Sequence, residues 1–304
     1  MSWESIARAA RLRVLKLYGT AATGLFLAGC NYQGYDVMNP RGPIGLQERE
    51  LLINATLIML AVVIPVIIMT IAFAWRYRAG NPKARRDLDW DYSGRIEFVV
   101  WAIPVLVIMF LGGVTWVSTH DLDPPKPIES KVAAVEVDVV SLDWKWLFIY
   151  PAQGIASVNK LVLPVGTPVR FRMTSASVMN TFFIPSLGSM VYTMAGMQTE
   201  VNLLADEAGT YHGLSGNFSG EGFSDMVFDT DVLPAGDFRQ WVEATHAAGG
   251  TLDAAAYATL VHPSEHDAPH TYGTVSPALF EGILAHPGEA PTAEQLARLA
   301  QPTT

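Results

Sequence analysis

Apolar positions are concentrated in the first 120 residues, where two long runs contain no charged side chain. These runs are residues 51–75 and 98–117, and each includes one proline, Pro65 or Pro104. At a rise of 1.5 Å per residue, about 20 apolar residues in a helix cross the hydrocarbon core of a membrane. The pattern therefore predicts a two-helix transmembrane hairpin with spans at about 51–75 and 97–118.

The loop between the two spans is rich in basic residues. They are Arg76, Arg78, Lys83, Arg85, Arg86 and Arg95. Short loops enriched in Lys and Arg stay on the cytoplasmic side of the membrane. The sequence thus predicts that both ends of the hairpin, and everything after residue 118, lie outside the cytoplasm.

The N-terminus has the layout of a secretory signal, with four basic residues before the short apolar run 25–27. The following residues Leu27-Ala28-Gly29-Cys30 resemble a lipobox, which predicts cleavage after residue 29 and lipidation of Cys30. The alternative is a buried free cysteine, which does not explain the basic and apolar segments before it. Because Cys30 is the only cysteine, no disulfide can form within the chain.

The outer part begins with a Pro-rich linker, 120–131, and changes at about residue 132 to short segments with a period of two. Val135, Val137 and Val139 alternate with acidic residues, a pattern typical of β-strands. Further strands are predicted at 159–163, 169–173, 198–203 and 225–231. Residues 132–236 are therefore expected to form an antiparallel β-sandwich or barrel. Ala-rich segments predict a helical C-terminal extension at 237–304, so the fold class is an α+β membrane protein.

Charge excludes one class of partner. The whole chain has a net charge of −9, and from residue 119 onward there are 8 Lys and Arg against 21 Asp and Glu. Nucleic-acid binding requires the opposite sign. An acidic, solvated face is the ordinary interpretation of this excess, and a docking surface for a basic partner is the alternative.

Three separated motifs carry a resemblance to a known family. They are the aromatic strand 143–151 (DWKWLFIYP), the run 177–185 (SVMNTFFIP) and the run 213–226 (GLSGNFSGEGFSDM). With the lipidated hairpin before them, they resemble subunit II of haem-copper terminal oxidases over residues 25 to 240. The resemblance implies that residues 132–236 form a cupredoxin-like domain.

Copper-bearing members of that family bind a dinuclear centre with one histidine and a Cys-x-Glu-x-Cys-x-x-x-His-x-x-Met run. The matching positions here are Asn180, Ser215, Asn217, Ser219, Phe223 and Met226. Only Met226 keeps a family ligand, and hydroxyl, amide and phenyl groups cannot replace thiolate and imidazole. We therefore expect these positions to be degenerate and this chain to bind no metal or other cofactor.

The remaining candidate ligands do not form an evident site. His262, His266 and His270 are separated by Pro263 and Pro269, which oppose a continuous helix that would align them, so exposed loop histidines are expected. His212 stands alone in the sequence. Three methionines, Met190, Met194 and Met197, are expected to pack in a core or an interface.

The lack of copper ligands narrows the resemblance to the quinol-oxidising branch, of the cytochrome bo or ba type. It implies a non-redox subunit of a proton-pumping ubiquinol oxidase in the bacterial inner membrane, with its outer domain in the periplasm. The partners would be the catalytic haem-copper subunit I, which carries the haems and a copper ion, other oxidase subunits and membrane lipids. The alternatives are a copper-bearing cytochrome c oxidase subunit and a free-standing lipoprotein for ligand binding or copper assembly.

Glu97 is the one candidate for chemistry, as the first acidic residue at the cytoplasmic end of the second span. A carboxylate at a helix N-terminus is stabilised by the helix dipole without any further role. The family resemblance instead implies a glutamate at the mouth of a proton-uptake channel. An acid at a membrane edge suits such proton exchange.

Overall fold

The computed structural model describes residues 36–84 and 89–301, so the predicted signal segment and Cys30 lie outside the described residues. A short 3₁₀ helix, Asp36–Met38, belongs to an N-terminal unit. All elements described below belong to a second unit that starts at Pro40.

Two long apolar helices open the second unit. Helix α1 spans Pro43–Arg76 and helix α2 spans Gly94–Asp121. By length and composition both could cross a membrane, and in the described chain their most apolar windows are not buried by other residues. At 34 residues α1 is about 51 Å long, while the hydrocarbon core is about 30 Å thick. The helix therefore extends beyond the predicted span at its N-terminal end.

This N-terminal end of α1 is bonded to the outer domain through the backbone. The Arg41 N–H donates to the carbonyl of Ser186 at 2.7 Å, and the Gly45 N–H donates to the carbonyl of Leu187 at 3.0 Å. A Cβ at Gly42 would lie 2.0 Å from the carbonyl oxygen of Leu204, so only glycine permits this approach. The helix and the domain are thus joined directly.

The segment after α2 is also attached to the domain. The Asn202 side chain donates to the carbonyls of Pro124 and Pro125 at 3.3 and 3.0 Å, and its backbone N–H donates to Pro124 at 2.9 Å. The predicted linker 120–131 is therefore held against the sheet along part of its length.

The outer region contains thirteen strands and four helices among the described residues. The strands are β1 Val135–Leu142, β2 Lys145–Tyr150, β3 Ile155–Val158, β4 Lys160–Pro164, β5 Val169–Ser175, β6 Asn180–Phe183, β7 Val191–Thr193, β8 Thr199–Leu203, β9 Gly209–Ser215, β10 Val227–Leu233, β11 Thr251–Leu252, β12 His270–Tyr272 and β13 Thr274–Val275. The helices are α3 Ala235–Ala248, α4 Ala254–Leu260, α5 Leu279–Ala285 and α6 Ala293–Leu299.

The strands form the expected sandwich. One sheet has the order β12-β3-β2-β1-β5-β8, and the other has the order β4-β10-β9-β6-β7. The sheets are mixed rather than purely antiparallel, because β1 pairs with β5 and β10 pairs with β4 in parallel. These parallel pairs come from strands that are distant in the sequence, which the alternation of side chains does not reveal.

Strand β2 is buried on both faces. Trp146, Phe148 and Tyr150 enter the core between the two sheets. Leu147 and Ile149 point to the opposite face, where they join a second apolar core. This second core is completed by side chains of α4, α5 and α6. The C-terminal extension therefore covers the outer face of the six-stranded sheet.

The extension differs from the expected helical tail. Besides its helices it contains the short strands β11, β12 and β13, and β12 adds an edge strand to the large sheet beside β3. A three-residue strand has too short a pattern to be recognised by its period. The extension is thus integrated into the sandwich by main-chain bonds as well as by apolar packing.

Candidate functional site

The six positions that match copper ligands lie together at one end of the sandwich. Asn180 begins β6, Ser215 ends β9, and the other four lie in the loop before β10 or at its end. The Ser215 hydroxyl donates to the Asn180 side-chain oxygen at 3.3 Å, and its backbone N–H donates to the carbonyl of Met226 at 3.1 Å. Asn180 and Met226 are each only 1 % exposed.

The outer positions of the loop are tied to the same cluster. The Asn217 side chain donates to the carbonyl of Met179 at 3.0 Å, and the Ser219 hydroxyl lies 4.0 Å from the Met226 sulfur. The Phe223 ring contacts an exposed aromatic neighbour, Phe218, at 5.7 Å between centroids. The fold therefore brings the six predicted positions together and satisfies their polar groups with one another and with the backbone.

Trp144 holds this loop from the side of the large sheet. It occupies the turn between β1 and β2 with a φ of +69°, and its indole N–H donates to the carbonyl of Ser219 at 3.2 Å. A Cβ at Gly222 would lie 2.6 Å from the indole ring, so glycine is required for this close packing. The role of Trp144 in this structure is to position the loop.

The donor atoms at these positions do not fit a dinuclear copper centre. They comprise two hydroxyls, two side-chain amides, one phenyl ring and one thioether, whereas such a centre requires thiolate and imidazole. The thioether of Met226 is a soft donor, but one soft donor does not hold two copper ions. The arrangement is suited to a hydrogen-bonded loop.

The other candidate ligands are dispersed, with one exception. His212 lies on β9 with its Nδ1 3.0 Å from Asp229, and Nδ1 of His270 contacts the carbonyl of Ala268 at 3.0 Å on the edge strand. The carbonyl of His262 accepts a bond from Lys145. His266 instead approaches Asp225 at 3.4 Å, a contact that sequence reasoning missed because the two residues belong to separate segments.

None of the three methionines belongs to the apolar cores of the described residues. Met190 and Met197 are about half exposed, at 52 % and 53 %. Met194 pairs with Met197 in an isolated β-bridge. No group of three histidine, cysteine or acidic ligands forms around them within the described residues.

Glu97 lies in the first turn of α2, after the N-cap residue Ser93. Its backbone N–H donates to the carbonyl of Ser93 at 3.0 Å, and the residue is exposed. The structure therefore places it at the helix end that the sequence predicted, where a partner or water can reach it.

A charged cluster that the sequence did not reveal lies between β1, β5 and α5. The Arg172 guanidinium donates to both carboxylate oxygens of Asp138 at 2.7 and 2.8 Å, and to Glu281 at 3.2 Å. Its charged carbon lies 4.8 Å from the centre of the Phe280 ring. Burial raises the pKa of Asp138 to about 6, despite its bond to Arg172.

Two family models match this chain. Residues 132–232 match "Cytochrome C oxidase subunit II, periplasmic domain", and residues 246–286 match "COX Aromatic Rich Motif". The first match covers most of the sandwich and the second covers much of the extension that packs on it. The resemblance that the sequence motifs suggested is confirmed.

Two similar proteins are named as subunit 2 of a ubiquinol oxidase, and each matches this chain over most of its length. "Cytochrome bo(3) ubiquinol oxidase subunit 2" of Pseudomonas aeruginosa is 51 % identical over 272 residues, covering 88 % of this chain and 81 % of the relative. "Ubiquinol oxidase subunit 2" of Acetobacter aceti is 47 % identical over 287 residues, covering 94 % and 90 %. Among solved structures, the periplasmic domain of cytochrome oxidase subunit II of Bradyrhizobium japonicum is 22 % identical, covering 39 % of this chain and 96 % of that chain, with a TM-score of 0.36.

With identities near one half across both the membrane hairpin and the outer domain, the chain belongs to the ubiquinol oxidase subunit 2 family and is a subunit of an oxidoreductase complex.

Proposed function

We propose that this chain is the non-redox subunit II of a proton-pumping ubiquinol oxidase. The observation that carries the proposal is the donor set at the six copper-equivalent positions, where the Ser215 hydroxyl donates to Asn180 and no position offers thiolate or imidazole. Four of these positions lie in residues 216–226, the copper-equivalent loop. Electrons from ubiquinol then pass to oxygen entirely within the catalytic haem-copper subunit I, which holds the haems and the copper ion. This chain supplies no redox centre to that path.

Its role in the complex is structural. The lateral faces of α1 and α2 are apolar and exposed in the isolated chain, so they contact subunit I, other oxidase subunits and membrane lipids. The chain resides in the bacterial inner membrane with the sandwich in the periplasm. A lipid on Cys30 adds a further anchor on the periplasmic side, in agreement with the topology that the basic loop predicts.

Glu97 assists proton uptake from the cytoplasm. Its exposed position in the first turn of α2 supports this role, because a carboxylate at the membrane edge can exchange protons with water and pass them to a neighbouring subunit.

The test is metal and haem analysis of the purified complex together with quinol-driven oxygen uptake. We expect haem, one copper atom per complex and oxygen uptake with ubiquinol as the only reductant. More than one copper atom per complex would contradict the non-redox role, and oxidation of a soluble cytochrome c would support a copper-bearing subunit instead. Purification of the chain alone with bound copper would support a free-standing lipoprotein.

A further inference from the structure

Two segments of the outer domain bring a histidine and two carboxylates together. Asp225 ends the 3₁₀ turn Glu221–Asp225 of the copper-equivalent loop, whereas Glu265 and His266 lie in the loop between α4 and β12. One ligand atom from each residue lies within 4.8 Å of the others. The Nε2 atom of His266 is 3.4 Å from a carboxylate oxygen of Asp225.

The loop that carries Glu265 and His266 is fixed in place. The Lys145 ammonium, on a side chain that is 3 % exposed, donates to the carbonyl of His262 at 3.0 Å and pairs with Asp267 at 2.9 Å. The Asn159 side chain donates to the carbonyl of Asp267 at 2.9 Å. These bonds flank Glu265 and His266, so their backbone position is set before any ion arrives.

Asp225 is held equally well from its own side. The loop before it packs on Trp144 through Gly222, and the residue after it is the buried Met226. The side chain of Asp225 is 30 % exposed, while that of His266 is 74 % exposed. Asp225 and His266 therefore line a water-accessible groove rather than the core, and the neighbouring Glu265 is exposed.

The groove has an excess of negative charge. Its volume is about 350 Å³, and its acidic lining consists of Asp225, Asp229 and Asp267, while Glu265 lies next to the lining residue His266 in the chain. The charge of Asp267 is balanced by Lys145, but Asp225, Asp229 and Glu265 have no Lys or Arg partner among the described residues. Such a groove attracts cations, and the imidazole of His266 selects among them.

We propose that this groove binds a divalent ion of the zinc class, with Asp225, Glu265 and His266 as its three protein ligands. Imidazole and carboxylate together suit Zn²⁺, and three protein ligands leave a fourth position for water. An all-oxygen cluster would instead suit Mg²⁺ or Ca²⁺, which prefer carboxylate and carbonyl oxygens. His266 is exposed, as the sequence predicted, and the proposal gives this exposed side chain a ligand role beside Asp225.

Such an ion would join the copper-equivalent loop to the C-terminal extension. Binding to a site that exists only in the folded chain stabilises the folded form by mass action. The ion therefore reinforces the contact between these two segments without taking part in electron transfer.

The test measures Zn²⁺ binding to the purified complex by equilibrium dialysis with zinc chloride at micromolar concentrations. The variants are His266→Asn, because asparagine tolerates the φ of +55° at this position, and Glu265→Gln. The matched controls are His270→Asn in the neighbouring edge strand and Glu289→Gln elsewhere in the extension. We expect each test variant to lose one equivalent of bound zinc and each control to keep it. We also expect millimolar Mg²⁺ not to displace that equivalent.

Three results would overturn the proposal. The first is equal zinc binding by the wild type and His266→Asn, and the second is the same loss in His270→Asn. The third is displacement of the zinc by Mg²⁺ at similar concentrations, which indicates diffuse attraction to an acidic surface. Oxygen uptake by each variant confirms that the complex has assembled before its zinc is counted.

Discussion

Lys145 and Asp267 form a buried ion pair of 2.9 Å that ties the start of β2 to the loop before β12. The lysine side chain is 3 % exposed and that of the aspartate 29 %. The Lys145 ammonium also donates to Ser264, which in turn donates to Asp267 at 2.7 Å. Burial alone would raise the pKa of Asp267, but the bonds from Lys145 and Ser264 lower it below its usual value.

Loss of the Asp267 carboxylate should loosen this loop. In Asp267→Asn the Lys145 charge stays buried without a counter-ion, which we expect to cost about 2 to 3 kcal/mol because water reaches part of the pair. Amide hydrogen exchange across residues 261–269 in the purified complex should then accelerate by about 30-fold or more. The exposed Glu289→Gln is the control, and equal exchange in both variants would contradict a role for the pair.

Asp138 should make stability depend on pH. Its folded pKa of about 6 lies above the usual value of about 3.9, so its contribution is fully present below pH 4 and is lost as the pH rises through 6. Calorimetry of the complex from pH 7 to 5 should show this gain in unfolding temperature of the outer domain, and Asp138→Asn should lack it. The control Glu200→Gln removes a contribution of opposite pH dependence. The bond from Arg170 lowers the pKa of Glu200, so this carboxylate stabilises the domain at higher pH and that stabilisation is lost as the pH falls.

Gly222→Ala should disturb the copper-equivalent loop. The added methyl group would lie 2.6 Å from the Trp144 ring, and overpacking of this kind costs about 1 to 3 kcal/mol. Limited proteolysis should cut residues 216–226 faster in this variant than in the wild type. Gly236→Ala, where nothing lies within 4 Å of the new Cβ, should leave the cleavage rate unchanged. Resistance of Gly222→Ala to cleavage would indicate that Trp144 is free to move.

Restoring the missing ligands should create a copper centre. The fivefold change Asn180→His, Ser215→Cys, Asn217→Glu, Ser219→Cys and Phe223→His places soft donors around Met226, on a backbone that already brings these positions together. We expect two added copper atoms and a new visible absorption band. The same chain without Ser219→Cys should show neither. Failure of the fivefold variant to bind copper would show that the loop has also changed its backbone geometry.

Glu97→Gln should slow oxygen uptake by the complex without preventing its assembly. An amide cannot carry the proton, so we expect a decrease of about threefold or more, which is smaller than the roughly 100-fold effect of losing a group that transfers a proton in the transition state itself. Glu50→Gln, at the opposite end of the hairpin, is the matched control and should keep full turnover. Unchanged turnover of Glu97→Gln at several pH values would contradict a role in proton uptake, and the carboxylate would then act only at the helix N-terminus.

The sequence alone was enough for the two membrane helices and for much of the sandwich. Uncharged apolar runs and the alternation of apolar and polar residues along a strand each arise from the local surroundings of a single helix or strand. They can therefore be recognised before the fold is known. Strand β2 shows the limit of this reasoning. All its residues are buried because the C-terminal extension covers its outer face. The sequence of the strand does not show which segment of the chain provides this cover.

The candidate sites divide in the same way. The copper-equivalent positions were predictable because their spacing within two short segments is part of a known motif. The group of Asp225, Glu265 and His266 was not, since 39 residues separate Asp225 from the loop that meets it. The partners of Arg172, which lies on β5, likewise come from two other elements, β1 and α5, so only the folded chain reveals them.

The direct bonds between α1 and the outer domain fix the rotation of the helix about its own axis relative to the domain. A helix advances by about 100° per residue, and α1 runs without interruption from the bonds at its first turn into the predicted membrane span. One residue inserted at position 50 would therefore rotate the domain-bonded first turn of α1 by about 100° relative to the predicted membrane span, and the second attachment of the domain at Pro124 and Pro125 would oppose this rotation. The number of residues in this helix, as much as their polarity, determines whether both attachments of the domain can form together.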